Sequence, residues 1–179
     1  PIVFASVAGF IGLYAVWVSY RRGWKSLELS FGLSCLTIAT YDVFCAGLYN
    51  ATSVEEGIFW QRLQLVTLTG IGPLLLWYLR GYTGRVSLAW LWTYTGLAGV
   101  GLLGATFDPG DWAWWLNEPH VRTVAFPWGG SITYHEAAAG PLAYVQSASA
   151  VVFFFYVMWV TVSYYRHGDM SIYRIAADA

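Results

Sequence analysis

The stretch that decides the fold is Glu55–Arg85, EEGIFWQRLQLVTLTGIGPLLLWYLRGYTGR. It opens on two acids and passes a cluster of Trp60, Gln61, Arg62 and Gln64. It then crosses a long apolar run interrupted by Pro73, and closes on Arg80, a Tyr-Thr-Gly turn and Arg85. The run is long enough to span a bilayer, for which ~20 apolar residues suffice. Polar groups one to two turns inside the acidic end are costly in lipid, so they must face protein, water or a ligand.

The rest of the chain has the same character. Of 179 residues, 58% are hydrophobic and 11% charged, and the mean hydropathy is +0.52. A soluble domain carries about 25% charged residues, so too few are present to solvate a globular surface. The composition predicts an all-α integral membrane protein. The 11 Trp and 13 Tyr suit helix ends at a membrane interface. A formal net charge of -1 without a basic run argues against nucleic acid as a partner. Cys35 and Cys45 fall in one apolar segment and read as packing residues, not as a disulfide or a metal site.

Working outward, the apolar runs predict five transmembrane helices over about residues 2–20, 27–49, 56–80, 87–106 and 141–165, with an outer loop at 107–139. Residues 169–179 read as a cytoplasmic tail or a linker to further chain. No basic stretch precedes the first run and no small-residue cleavage site follows it, so it does not read as a removable signal peptide. Ala5, Ala8, Gly9 and Gly12 give it a face suited to close helix contact. Ser53 is the expected N-cap of the third helix, with Glu55 and Glu56 in its first turn. Pro73 is expected to kink that helix. Gly96, Gly99, Gly101 and Gly104 predict that the fourth helix packs tightly against others. In the long loop, Asp108-Pro-Gly-Asp is a turn, and Trp112, Trp114 and Trp115 are expected to lie flat at the membrane surface. Val121–Phe126 and Ser131–His135 flank Pro127-Trp-Gly-Gly like two short strands around a glycine turn. Such a hairpin is marginal alone in water and needs support from the bundle or the interface.

Charge sets the orientation. With five alternating helices, Arg21, Arg22, Lys25, Arg80, Arg85, Arg166 and Arg174 share one side, leaving Arg62 and Arg122 for the other. That asymmetry places the N-terminus outside, the C-terminus in the cytoplasm and the Trp-rich loop outside. Asp42 then lies about eight residues, or ~12 Å, below the outer end of the second helix, and Arg62 about six residues, or ~9 Å, below that of the third. An unpaired charge at such depth costs at least ~2.5–3.5 kcal/mol, which favours a shared site. The expectation is an Asp42–Arg62 ion pair with Tyr41, Gln61 and Gln64 nearby, serving either as a ligand pocket or as a register-fixing structural pair. His135 and Glu136, where the loop returns to the fifth helix, either complete that pocket or cap the helix start. His120 reads as a loop histidine.

Several chemistries are excluded by residue placement. Retinal attachment needs a lysine deep in a helix, and the only lysine, Lys25, sits at a helix end. A membrane bis-histidine haem needs histidines on facing helices, and none of the three lies inside a span. No metal-spaced His/Cys set, phosphate loop or serine-nucleophile motif occurs. Asp42 stands alone where an intramembrane protease needs a pair. The expected sites are therefore non-catalytic, without metal or cofactor.

The succession Cys35-Leu-x-x-Ala39-x-Tyr41-Asp42, Gly47-Leu-Tyr-Asn50, Glu56-Gly-x-x-Trp60-Gln-Arg62-x-Gln64 and Tyr82-Thr-Gly-Arg85 resembles the N-terminal seven-helix membrane sensor region of bacterial histidine kinases and related signalling proteins. Glu136-x-x-x-Gly140-Pro141 adds to the likeness. Five of the seven helices fall within this chain. The resemblance implies a bacterial inner-membrane, multi-pass module that reads an outside or membrane stimulus and relays it to a cytoplasmic output domain, with any kinase or cyclase activity residing there. The alternative is a non-catalytic accessory subunit of a larger membrane complex. Expected partners are the lipid bilayer, a small-molecule or lipid ligand, and a second copy or larger membrane assembly.

Overall fold

The computed structural model describes residues 1–107 and 115–166. Five helices and one hairpin follow in the order α1 (Ile2–Arg21), α2 (Ser26–Asn50), α3 (Val54–Thr83), α4 (Leu88–Thr106), β1 (Trp115–Ala125), β2 (Ser131–Ala139) and α5 (Pro141–Arg166). Three of the helices, α1, α2 and α5, are long and apolar enough to cross a membrane, and α4 carries a shorter apolar stretch, Leu88–Gly104. The Asp108-Pro-Gly-Asp turn, Trp112, Trp114 and the tail from Asp169 lie outside the described residues.

α1 packs on α2, α2 on α3 and α3 on α4, and α3 is the hub, touching α2, α4, α5 and β2. Its start follows from local chemistry. The Ser53 hydroxyl accepts from the Glu56 backbone N–H at 3.2 Å, while the Glu56 carboxylate accepts from the Thr52 N–H at 2.9 Å. Two donors that the helix itself cannot satisfy are thereby used. Its end is set by Gly84, whose left-handed backbone (φ 65°) turns the chain out of the helix. Between those ends α3 runs as one helix through Pro73.

At the end bearing Arg80 and Arg85, the α3–α4 turn is tied to its surroundings. Arg80 donates to the Val86 carbonyl at 2.5 Å, and Arg85 donates to the Ser163 carbonyl of α5 at 2.8 Å. That carbonyl lies near the described end of α5. Beside it, Leu76, Val86 and Val160 form a fully buried cluster. Further along, α5 meets α4 through ring pairs, Trp90 on Tyr156 and Tyr94 on Phe153, each with centroids 4.8 Å apart. At the other side of the bundle, α1 and α2 cross closely: a Cβ on Gly12 would stand 2.9 Å from the Gly32 carbonyl oxygen.

Two expectations change. The strands extend well past Val121–Phe126 and Ser131–His135, pairing from Trp115↔Ala139 to Ala125↔Ser131 with a register shift between Leu116 and Pro119. Proline lacks the N–H that a regular ladder uses, so the irregularity lets β1 continue past it. The α4 glycines do not all serve close packing either. Nothing lies within 4 Å of a Cβ built on Gly96 or Gly99.

Candidate functional site

Three of the polar residues singled out in the sequence, Gln61, His135 and Glu136, lie where the hairpin meets α3. Gln61 is the centre of that contact. Its Oε1 accepts from the Ala137 N–H at 2.8 Å, and its Nε2 donates to the Ala137 carbonyl at 3.4 Å. The side-chain amide thus engages both backbone groups of one residue, as a neighbouring strand would, and covers the free edge of β2 where it faces the bundle. Ala137 itself is buried, packed against Ile58, Leu65, Val66 and Ala143.

The strand approaches α3 closely because Gly57 lies beneath it: a Cβ there would stand 2.6 Å from the His135 carbonyl oxygen. The Trp60 indole in turn covers Gly47 of α2, where a Cβ would meet the ring at 2.5 Å. Tyr49, at the end of α2, contacts Tyr134 edge-on at 5.5 Å. The spaced motif residues Gly47, Gly57, Trp60 and Gln61 therefore build one interlocked layer of α2, α3 and β2.

His135 and Glu136 do not cap α5. They lie on β2, which continues to Ala139 before Pro141 opens the helix. Glu136 faces across the hairpin: its Oε1 lies 3.1 Å from His120 Nε2 and 3.0 Å from Arg122 Nη1. His120 is accordingly a strand residue with a carboxylate partner, not a loop histidine. The sequence held the signal for this pairing. Residues related by symmetry about Trp128 oppose one another, which puts His120 directly opposite Glu136 and Arg122 two pairs nearer the turn, on the same face. The turn itself depends on Gly129 and Gly130, whose φ values of 92° and 88° suit only glycine well. The Nδ1 of His135 is buried without a hydrogen-bond partner among the described residues.

The remaining expected site residues lie on the two helices of this layer. Tyr41 and Asp42 are half-buried on α2, and Arg62 and Gln64 are half-buried on α3.

Local electrostatics follow from the same contacts. The Thr52 backbone N–H and hydroxyl hold the Glu56 carboxyl below the usual carboxylate range. Glu136, by hydrogen bond and charge, raises the pKa of the Arg122 guanidinium. Burial, followed by the charge of Glu136, pushes the Tyr134 phenol up. None of these groups forms a nucleophile–base pair. The arrangement docks the hairpin against α2 and α3.

Comparison with known proteins agrees with the likeness seen in the motifs. The family model described as the N-terminal 7TM region of histidine kinase matches residues 1–177. No curated protein and no solved structure gives a match. The chain belongs to the family of N-terminal seven-transmembrane regions of histidine kinases, and it is a membrane protein.

Proposed function

We propose that this histidine-kinase 7TM region is a non-catalytic sensory module of a bacterial inner membrane that relays an outside or membrane stimulus to a cytoplasmic output domain. One observation carries the reading. The helix α3 is continuous for 30 residues, or about 45 Å. It reaches from the hairpin contact at Gln61 to the Arg80 and Arg85 ties at the opposite end. A displacement of the hairpin is therefore delivered along one continuous helix to α5 at Ser163.

In this reading five helices span the bilayer. The cationic turns face the cytoplasm, and the N-terminus and hairpin lie outside, as the cationic asymmetry favours. Gln61, His135 and Glu136 hold the lid, while Asp42 and Arg62, with Tyr41 and Gln64, form the polar site beneath it. Helix register supports that pair. The contacts Gly47–Trp60 and Gly70–Thr37 put residue 45 level with Arg62. Asp42 is then only three residues, or ~4.5 Å, deeper than Arg62 along the helix axis, a separation that a long arginine side chain spans.

The test is made in the full-length protein. Arg62→Ala is expected to leave the membrane level unchanged and to abolish the stimulus-dependent change in phosphorylation output. Loss of folded protein from the membrane would instead assign Arg62 a purely structural role. Cysteines introduced at Trp128 and at Lys25 should react, respectively, with an impermeant thiol reagent added outside and only after permeabilisation; the reverse pattern would overturn the topology.

A further inference from the structure

A cavity of about 650 Å³ lies between the start of α2 and the helices α3 and α4, at the end of the bundle bearing Arg80. Its shape follows from the register of α3 and α4. A Cβ on Gly72 would overlap the Tyr94 ring, so these two residues are neighbours across the interface. From there toward the turn, the stretches Pro73 to Arg80 and Thr95 to Leu88 bound a groove ~10 Å deep. All four of these residues line it. Leu88 also begins the apolar stretch of α4, Leu88–Gly104, and Leu88 and Trp92, which both line the groove, are exposed. The groove therefore starts at the edge of the apolar layer, runs into it, and opens along α4.

The shallow end carries charge. Arg80 is half-buried there, and its Nη1 donates to the Val86 carbonyl, which fixes the guanidinium beside the turn. A guanidinium has several more N–H donors to offer. Among the described residues no carboxylate pairs with Arg80. None of its nitrogens is buried without a partner either, so the free ones are open to the surroundings. The start of α2 joins from the other side. Leu27 packs on Gly81, its Cα 3.9 Å from a Cβ built there, and Ser26 lines the cavity. The 25-residue helix α2 has no side-chain cap, so its first N–H groups and its dipole favour an anion. Glu28, in the first turn of α2, is paired with Arg22 at 3.3 Å and does not line the cavity. A second cavity, about 580 Å³ between α3, α4 and α5, is bounded by Gly101 and Gly104 of α4 and has no charged residue in its lining. Nothing in that one selects an occupant.

We propose that the Arg80 cavity binds an anionic phospholipid of the adjoining leaflet, with its phosphate between the Arg80 guanidinium and the start of α2 and one acyl chain along Pro73, Leu74, Leu91 and Thr95. Each half of the site excludes a simpler occupant. A neutral hydrocarbon leaves the guanidinium without a counter-charge at the edge of the apolar layer. A soluble anion leaves ~10 Å of apolar wall uncovered. A basic pocket between helices at the membrane boundary suits a headgroup, and the apolar groove below it suits the chain. The site is separate from the hairpin contact and stands whether or not the chain senses a stimulus.

The experiment places the whole chain in nanodiscs containing a phosphatidylglycerol with a diazirine on one acyl chain, followed by irradiation and peptide mapping. Adducts are expected on residues 73–81 and 88–95, the two walls of the groove. Unlabelled phosphatidylglycerol should displace the label at about fivefold lower mole fraction than phosphatidylcholine, the factor that one cation near a membrane surface contributes. Arg80→Gln should abolish that preference. Because Arg80 also ties the α3–α4 turn, Ser26→Glu provides a second reading. A carboxylate suits a helix start, so this variant should fold, supply Arg80 with an anion of its own, and lose the preference. Arg166→Gln removes the same charge from the end of α5, away from the cavity, and should leave the preference intact. Equal displacement by the two lipids, label spread evenly over the lipid-facing helices, or a preference retained in Ser26→Glu would overturn the proposal. An equal loss in Arg166→Gln would reduce it to general surface charge, and displacement by inorganic phosphate would mark a soluble-anion site; either outcome also overturns it.

Discussion

Removing the Gln61 amide should release the hairpin while sparing the helices. In Gln61→Leu the side-chain volume is nearly kept, but both bonds to Ala137 disappear, the short one at 2.8 Å and the long one at 3.4 Å. A made hydrogen bond is worth about 1 kcal/mol net, and a buried group left without a partner costs about 1–3 kcal/mol. Ala137 is only 5% exposed, so its N–H has little recourse to water. The weaker bond adds less than its share because of its length. Together these give about 2–3 kcal/mol, or on the order of 30- to 150-fold in the docking equilibrium. Hydrogen–deuterium exchange in nanodiscs reads this directly. Amides of β2 around Ala137 should exchange faster by that factor, while those of α2 and α3 stay protected. Gln61→Glu keeps the acceptor for the Ala137 N–H and loses only the donor, so its effect should be about tenfold or less. Unchanged protection at Ala137 in Gln61→Leu would refute the clamp. Uniform loss of protection through the bundle would show that Gln61 supports the whole fold and not the lid.

Four further outcomes follow from the same structure. Gly57→Ala sets a Cβ 2.6 Å from the His135 carbonyl oxygen, an overpacking of about 1–3 kcal/mol that lowers Tm. Gly96→Ala meets nothing within 4 Å and should be neutral or stabilising by up to about 1 kcal/mol through helix propensity. Arg85→Ala removes the donor to Ser163; spin labels on the α3–α4 turn and the end of α5 should report a broader distance distribution, with β2 exchange unchanged. Glu56 should make the α2–α3 turn sensitive to acid. Its folded pKa is lowered from the ordinary value of 4.5, so its stabilisation is complete above that value and is lost as pH falls through the folded pKa. Exchange at the Thr52 amide should accelerate on acidification, and Glu56→Gln should flatten that pH profile.

The parts of the fold written in local chemistry were legible in the sequence. Ser53 preceding two acids marks a helix start in any context, and it is the N-cap of α3. Pro127-Trp-Gly-Gly demands a turn, and the two strands meet around it. The membrane class and the family likewise rest on composition and on residues in fixed order. What stayed hidden depends on which face meets which. Gln61 was recognisable as a polar group needing a partner, yet nothing in its neighbourhood says that the partner is the backbone of Ala137, 76 positions away. The row of glycines on α4 reads as close packing, but the same small residues also leave a cavity when the opposing helix is held off by rings elsewhere. Which result holds is decided by Trp90, Tyr94, Phe153 and Tyr156 together, and not by α4 alone. His120 and Glu136 were separable from a loop reading only by counting outward from Trp128, which requires trusting that the strands run their full length.

The doubly tied turn at Gly84–Ser87 also bears on how this protein tolerates change in length. Most connections between helices accept an added residue, because slack in the backbone absorbs it. Here Arg80 and Arg85 hold that turn from both sides, one to Val86 and the other to the end of α5. A single inserted residue would move one anchor out of reach of its carbonyl. The turn from Phe126 to Gly130, by contrast, is closed by its own backbone bonds and the Phe126–Trp128 ring stack. Insertion scanning should find the short turn between α3 and α4 rigid in length and the hairpin tip permissive, so a tag or label placed at the tip would leave the rest of the molecule as it stands.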